Sequence, residues 1–410
     1  MSRTRSTWRA SPPNRSLPAV RRLFLYAAVL ALGALALRVM VVPAEVCPAL
    51  TPAAARGAIA EAFGWLERGM RPGGLYTYGY DRKNDAVSED YNITRHAGVM
   101  FGLYQLAGES GDEDALAAAE HGLSFVHANL LRNDDWTAFA EPGQDARLGA
   151  SGLLAIALIQ RRLATGDESE DDLIRGLGQF LASQQQADGS VLGRWSLATE
   201  SAVPGEYAKF GTGQALWTFA LLDKLFPGEG WEKPARRLAR FVATRRDDVE
   251  GYVLTFPDHW SAYALAELGP GKLGEPEIAY ARELAGILGL NSRLESQSGQ
   301  GGLNRVFRGE PASGAGLGTV SEGLAALWRL SVADPRLADL TDNLSARLHC
   351  TAGRAVERQI DRAEAEKAPR PLLARGAWFT EDGYTQMDHQ RHPLSGLLAT
   401  LEVMEAESAR

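Results

Sequence analysis

The sequence predicts an all-α protein: an (α/α)6 toroid of six helical hairpins, preceded by one transmembrane helix. Three observations favour this fold class. Helical periodicity dominates after residue 51, and no segment shows the sustained alternation of a strand. Amphipathic helices alternate with helices that are apolar on nearly every side, which is typical of outer and buried helices respectively. Each apolar helix follows a polar run, so six pairs can close into two concentric rings with the polar runs on one face.

The first 42 residues differ from the rest in charge and hydropathy. Residues 1–22 contain six arginines and no acidic residue, which indicates a basic cytoplasmic tail. The apolar run at 23–42 has the length of about 20 residues that a bilayer span needs. Since positive charge precedes this span, we expect a single-pass signal anchor in the inner or plasma membrane, with the body outside the cytoplasm.

A juxtamembrane linker at 43–51 then leads into an extracytoplasmic toroid domain at 52–410. A cleaved signal peptide is the alternative to an anchor, but the sequence around Val46 is a poor cleavage site. The two cysteines, Cys47 and Cys350, can pair in an oxidising compartment, and two free thiols fit the sequence equally well. A net charge of -8 without a basic patch in the body argues against a nucleic-acid partner.

The two kinds of helix alternate along the chain in a regular order. The amphipathic candidates are residues 52–69, 112–130, 170–185, 234–244, 275–288 and 335–365. The apolar segments begin after polar runs and cover residues 97–106, 148–159, 211–222, 261–268, 323–330 and 393–403. Outer helices of this kind would shield the inner ones from water, and an open solenoid would instead need a wet concave face on the inner helices.

Residues 180–195, which read FLASQQQADGSVLGRW, carry a resemblance to a known architecture. They resemble the Gln/Trp-type turn of the α/α-toroid proteins, a group that includes the terpene cyclases and the six-hairpin glycosidases. The resemblance implies that this turn closes an outer helix and opens onto the site face. The sequence lacks the DxDD run of the class II cyclases, and Cys350 is not placed for the zinc set of the protein prenyltransferases. The six-hairpin carbohydrate-active group therefore remains, without a specific family.

The polar runs supply the side chains that glycan chemistry needs. Cleavage of a glycosidic bond needs one protonated and one ionised carboxyl group, and aromatic rings pack on sugar faces. Four of the seven histidines also fall within these runs. The predicted catalytic residues are Asp90, Glu206, Asp258, Asp388, His96, His259 and His392. The predicted substrate-binding residues are Tyr91, Arg95, Tyr207, Trp260, Trp378 and Tyr384.

The prediction from the residues is thus a membrane-anchored enzyme acting on a polysaccharide or other glycan, most simply a glycoside hydrolase, with no cofactor and no metal. A uronate epimerase or lyase is an alternative, with Arg95 beside a His or Tyr base. A non-catalytic polysaccharide-binding or envelope-assembly protein is another. A loose metal set around Asp388 and His392 matches no known spacing.

Two carboxylates also have structural interpretations. Asp90 can cap the first buried helix, since Asp at a helix start satisfies free amides. The run from Thr319 to Glu322 fits a capping box, which would make Glu322 a helix cap.

Overall fold

The computed structural model describes residues 19–38, 45–251, 258–298 and 311–410. Its first helix, α1, spans Ala19–Ala36 and has a mean hydropathy of 1.7 with no buried residue. Within the described residues it is the one helix that is long and apolar enough to cross a membrane. It begins at Ala19 rather than at residue 23, and residues 39–44 of the expected span and linker lie outside the described residues.

The body is a closed ring of six helical hairpins, which confirms the predicted fold class. The outer helices are α2 (Pro52–Arg68), α4 (Glu113–Ala128), α6 (Asp171–Ser183), α8 (Glu232–Thr244), α11 (Glu275–Ser298) and α13 (Thr341–Arg358). The inner helices are α3 (Ile93–Ser110), α5 (Leu148–Thr165), α7 (Phe210–Leu225), α10 (His259–Leu268), α12 (Gly314–Ala333) and α16 (Met387–Ser408). Each inner helix packs against the next, and α16 packs against α3 to close the ring.

Shorter elements link the hairpins. Short α-helices are α9 (Arg246–Glu250), α14 (Arg362–Ala365) and α15 (Pro371–Ala374), and 3-10 turns cover Pro72–Gly74, Pro270–Lys272 and Pro335–Leu340. The short strands are β1 (Met70–Arg71), β2 (Leu75–Tyr76), β3 (Gly79–Asp81), β4 (Ala86–Val87), β5 (Leu130–Arg132), β6 (Thr137–Phe139), β7 (Ala146–Arg147), β8 (Arg194–Ser196), β9 (Ser201–Ala202) and β10 (Tyr384–Gln386). All pairings among them are antiparallel, and β10 pairs with β3, so that the last hairpin is joined to the first.

We call the face on which the inner helices begin the upper face, and the face on which they end the lower face. The polar runs were predicted to converge on one face of the ring, and this is the upper face. Two of these runs lie deeper than predicted, because α12 already begins at Gly314 and α16 at Met387. The residues 319–322 and 388–392 consequently lie inside inner helices rather than ahead of them.

Small residues set how closely the inner helices approach. A Cβ added to Gly318 of α12 would lie 2.2 Å from the carbonyl carbon of His392 in α16. A Cβ on Gly213 of α7 would lie 2.8 Å from the Cβ of Trp260 in α10. Real side chains do not tolerate such distances, so glycine at these positions lets neighbouring helix backbones pack against each other.

The segment that precedes α2 is fastened to the outer wall of the ring. Cys47 and Cys350 of α13 form a disulfide, with their Cα atoms 4.7 Å apart. Glu45 pairs with Arg293 of α11 at 3.5 Å and also with Arg347 of α13. The pairing of the two cysteines, which the sequence left open, is therefore present in the structure.

We expect Cys350→Ser to lower the free energy of unfolding by about 2–4 kcal/mol, because the crosslink closes a loop of 303 residues. Chemical denaturation of the detergent-solubilised protein measures this difference. Cys47→Ser and the double variant should lose the same amount as the single variant, since all three lack one bond. An additive loss in the double variant would show that the two side chains act separately.

Candidate functional site

Three inner helices bring one titratable side chain each to the centre of the ring. Nδ1 of His392 (α16) lies 2.6 Å from Oε2 of Glu322 (α12), and Nε2 of His259 (α10) lies 3.8 Å from the same oxygen. The two imidazole rings are 5.2 Å apart between centroids. The Glu322 side chain is fully buried, and those of His259 and His392 are 7% and 9% exposed. We call these three residues, together with Arg391, the central cluster.

Arg391 completes the central cluster from the same turn of α16 as His392. Its guanidinium donates to Oε1 of Glu322 at 3.2 Å and to Nε2 of His392 at 2.7 Å. The neighbouring helix α3 makes room for it, because a Cβ on Gly98 would lie 3.2 Å from its Nε, and one on Gly102 3.1 Å from its Cγ. The guanidinium of Arg391, the carboxyl group of Glu322 and the imidazole of His392 therefore lie together in the interior.

The protonation of the central cluster follows from burial. Burial raises the pKa of Glu322 to about 8, although the positive charge of Arg391 acts to lower it. Burial also lowers the pKa of His392 well below its usual value, and Arg391 adds to that effect. Since Arg391 donates to Nε2 of His392, the short contact on the other side of the ring holds one proton between Nδ1 and Glu322. His392 is therefore uncharged at neutral pH, and its Nε2 can accept a further proton only when the Arg391 guanidinium moves away from it.

The central cluster has the residue types of a metal site but not its electrostatics. Ligand atoms of His259, Glu322 and His392 all lie within 4.8 Å of one another. However, both ring nitrogens of His392 already have partners, and one of these partners is the guanidinium of Arg391. A divalent cation at this position would meet that positive charge directly, so the residues fit a proton-transfer site better than a metal site.

Aromatic side chains surround the two imidazoles. The Trp260 ring lies 4.2 Å from the His259 ring and 6.0 Å from the His392 ring, centroid to centroid. The guanidinium carbon of Arg391 lies 5.1 Å from the Trp260 ring centroid. Trp260 is 6% exposed, so it packs around the central cluster and keeps water from its lower side.

A more exposed ion pair lies beside the central cluster at the start of α3 and α16. Nε of Arg95 donates to Asp388 at 2.7 Å, and the Arg95 guanidinium also bonds the Tyr78 hydroxyl. The side chains of Arg95 and Asp388 are 32% and 20% exposed, so both can reach a ligand that enters from the upper face. The positive charge of Arg95 contributes to the lowered pKa of His392, which shows that the pair and the central cluster share one electrostatic environment.

Asp258 has a structural role in this arrangement. It is the N-cap of α10, accepts from the Ser261 amide at 3.1 Å and forms a buried ion pair with Arg246. Arg246 also bonds Glu250 at 3.0 Å, and both of its partners are buried. Burial acts to raise the pKa of Asp258, but Arg246 and Ser261 outweigh it and hold the pKa below its usual value. The predicted catalytic carboxylate is thus a buried cap that positions His259.

The carboxylate of Glu206 belongs to a separate surface network. It pairs with Arg194, which also bonds Asp145 at 2.5 Å. The hydrogen bonds from Arg194 lower the pKa of Glu206, and its side chain is 44% exposed. The described contacts join Glu206 to β8 on the upper face and not to the central cluster.

Asp90 and His96 also differ from the expected arrangement. Asn92, not Asp90, caps α3, because its side chain accepts from the Arg95 amide at 3.0 Å. Asp90 is exposed and bonds Ser88. His96 is fully buried, with Nδ1 2.8 Å from the Tyr91 hydroxyl and Nε2 3.1 Å from the Gly122 carbonyl oxygen. Both nitrogens of His96 thus have hydrogen-bond partners in the protein core.

The remaining aromatic candidates divide into core and surface residues. Trp378 is 1% exposed and its indole donates to the Ala355 carbonyl at 2.7 Å, so it is a core residue that cannot pack on a sugar. Tyr207 and Tyr384 are half-buried at the upper face, next to Glu206 and in β10 respectively. Tyr207 and Tyr384 therefore remain candidate substrate contacts.

Two residues of the central cluster, Glu322 and Arg391, are not among the predicted catalytic residues. Glu322 was expected to cap its helix, but Ser313 is the cap of α12, and Glu322 lies two turns inside. Arg391 lies between two histidines in a run that was singled out, yet it was not assigned a role. The available signal was a charged residue within an otherwise apolar helix, since such a residue must find a buried partner.

Comparison with known proteins shows the fold. No protein-family model and no curated protein sequence matches the chain. Among solved structures, a D-mannose isomerase superposes with a TM-score of 0.61 at 12% identity, over 85% of this chain and 97% of that one. A cellobiose 2-epimerase from Spirochaeta thermophila gives 0.58 at 12%, over 86% and 98%. An α-1,6-mannanase of Salegentibacter gives 0.56 at 12%, over 86% and 99%. The chain therefore has the six-hairpin α/α-toroid fold, as the resemblance implied.

We expect Asp258→Ala to lower the free energy of unfolding by about 3–5 kcal/mol, because it removes one of the two buried carboxylates that pair with Arg246 and also the N-cap of α10. Denaturant titration measures this value. Asp145→Ala, which breaks a partly exposed pair with Arg194, is the matched control and should cost about 1 kcal/mol or less. Equal effects of the two changes would contradict the structural role of Asp258.

Glu322→Gln should change how stability depends on pH. The folded carboxyl has a pKa of about 8 against an ordinary value of 4.5, so the native state binds the extra proton between these values. The wild type therefore loses stability as pH rises through this window, and the glutamine variant does not. We expect the stability of the variant relative to wild type to rise from about pH 4.5 to about pH 8 and then to level off. A constant difference across this range would show that Glu322 is ionised throughout.

Proposed function

We propose that the protein is a carbohydrate-active enzyme that moves a proton at the carbon next to a sugar carbonyl, that is, an epimerase or isomerase of a reducing sugar or glycan end. One observation carries the proposal: two imidazoles from facing helices lie 5.2 Å apart and share one buried carboxylate. Two neighbouring imidazoles in edge contact can act as an acid–base pair in a reaction in which one group removes a proton and the other returns it.

The proposed steps balance as follows. One imidazole removes the proton from the carbon, the C–H electron pair forms a carbon–carbon double bond, and the carbonyl π electrons move to oxygen as an enediolate. Glu322 stabilises the imidazolium that forms at His392, and Arg391 or Arg95 stabilises the enediolate oxygen. Return of a proton to the opposite face of the same carbon gives an epimer. Return to the neighbouring carbon, with the hydroxyl proton passing from one enediolate oxygen to the other, gives the isomeric ketose or aldose.

The names of the structural neighbours support a sugar substrate. Two of them are a mannose isomerase and a cellobiose 2-epimerase, and a third is an α-1,6-mannanase. The partly exposed pair of Arg95 and Asp388 supplies a donor and an acceptor for sugar hydroxyls next to the central cluster. We therefore propose a neutral mono- or oligosaccharide as substrate.

Glycoside hydrolysis is the second candidate, because one observation favours it. The raised pKa of Glu322, about 8, provides a protonated carboxyl group at neutral pH, which the general acid of a glycosidase requires. Against it, Arg391 and His392 occupy both oxygens of Glu322, so that carboxyl group would have to leave its partners to reach a glycosidic oxygen.

We further propose that the enzyme is anchored in the membrane by α1 and acts outside the cytoplasm. The helix α1 is apolar and exposed over its whole length, and basic residues precede the apolar run. The disulfide between Cys47 and Cys350 is consistent with an oxidising compartment.

The test is isotope exchange in D2O with the detergent-solubilised protein and D-mannose, D-glucose or cellobiose. The wild type should replace the proton at carbon 2 with deuterium and form the epimer or the isomeric sugar, as seen by NMR. His259→Asn and His392→Asn should each lower this rate by about 10²–10⁴-fold, because each removes one acid–base group.

The matched control is His127→Asn, which changes a histidine on the outer helix α4 that pairs with Glu170 at 3.2 Å. It should leave exchange unchanged. New reducing ends from oligosaccharides without deuterium at carbon 2 would favour hydrolysis instead. Saturable sugar binding without either reaction would favour the non-catalytic binding protein.

A further inference from the structure

The ring also opens on its lower face, away from the central cluster. A cavity of about 430 Å³ lies where the inner helices end. Each inner helix contributes a lining residue from its C-terminal half: Glu109, Gln160, Lys224, Glu267, Arg329 and Glu402. The cavity is therefore the lower end of the bore of the toroid.

Two buried aromatic residues line this cavity, and one of them has a hydrogen-bond donor without a partner. Trp217 and Tyr263 are stacked with their ring centroids 4.3 Å apart, and each is 3% exposed. Within the described part of the chain, the Trp217 indole nitrogen makes no hydrogen bond, whereas the Tyr263 hydroxyl faces Glu322 and acts to lower its pKa. Buried donors normally have an acceptor, so the cavity is suited to a ligand that presents oxygen atoms.

Four of the five charged residues that line the cavity are paired, and the fifth, Glu109, accepts a hydrogen bond from Gln105 at 3.0 Å. Lys224 bonds Glu267 at 2.5 Å, and Arg329 bonds Glu402 at 2.9 Å. These pairs offer both donors and acceptors to a ligand and mostly cancel in charge. The Gln105 side-chain oxygen, which is also buried without a partner, adds an acceptor. Such a lining suits a neutral molecule with many hydroxyl groups better than an ion.

We propose that this lower cavity is a second saccharide-binding site, separate from the central cluster. Its volume is suited to a mono- or disaccharide, which would accept a hydrogen bond from Trp217 and donate to the carboxylates and to the Gln105 side-chain oxygen. Trp217 also contacts Trp260 at 5.7 Å between centroids, so an aromatic layer separates the lower cavity from the two imidazoles. The proposal does not depend on the reaction proposed for the upper face.

The indole N–H of Trp217 reports on the lower cavity directly. We would label the tryptophans of the full-length protein with 15N, assign the Trp217 resonance by its loss in Trp217→Phe, and titrate with D-mannose, cellobiose or choline chloride. The expected result is a saturable shift of this resonance with a sugar and none with choline. His392→Asn should keep the shift, because it changes only the upper site.

Ala333→Phe places a larger side chain at the exposed end of α12, which lines the cavity, and should abolish the shift. Ala128→Phe, at the exposed end of the outer helix α4, is the matched control and should keep it. No shift with either sugar, a shift with choline alone, persistence of the shift in Ala333→Phe, or its loss in His392→Asn would each overturn the proposal. Isotope exchange at the upper face is measured separately, so failure of one proposal leaves the other intact.

Discussion

The structure depends on one constraint: a carboxyl group with no exposed surface lies in the middle of a ring of apolar helices. A polar group in such a place is costly unless it is hydrogen-bonded. Arg391 and His392 provide these bonds to Glu322 from the adjacent helix. Glycine at positions 98 and 102 of α3 then leaves space for the arginine, so residues of three inner helices are matched to one buried carboxyl group.

The interior of the toroid is not uniform along its axis. Polar groups occupy its upper part, and a layer of aromatic rings that includes Phe101, Trp217, Trp260 and Tyr263 fills its middle. Arg391 lies 5.7 Å from the Phe101 ring centroid and 5.1 Å from that of Trp260, at the boundary between these parts. Within the described residues, this aromatic layer separates the central cluster from the lower cavity.

The fold could be predicted from the sequence because it follows from patterns along the chain. The alternation of amphipathic and apolar helices predicted the six hairpins. The polar residues at helix starts included His259 and Trp260 of α10. The roles of individual carboxylates could not be predicted in the same way. Asp258 and Glu322 both precede or occupy apolar helices, yet one caps α10 opposite Arg246 and the other is the centre of the site. That difference arises from partners at distant positions in the chain, which periodicity and capping patterns do not encode.

The sign of the charges around the central cluster also bears on which reaction it can favour. An oxocarbenium-like transition state of glycoside cleavage is positive, and it would develop beside Arg391 and near Arg95. An enediolate is negative, and the same two guanidinium groups would stabilise it. Proton transfer to an imidazole adds a positive charge, but this charge forms next to Glu322, so the cluster gains an imidazolium and an enediolate together and its net charge does not change. In a site from which water is largely excluded, a reaction that conserves net charge and places each new charge beside an opposite one has the lower electrostatic cost.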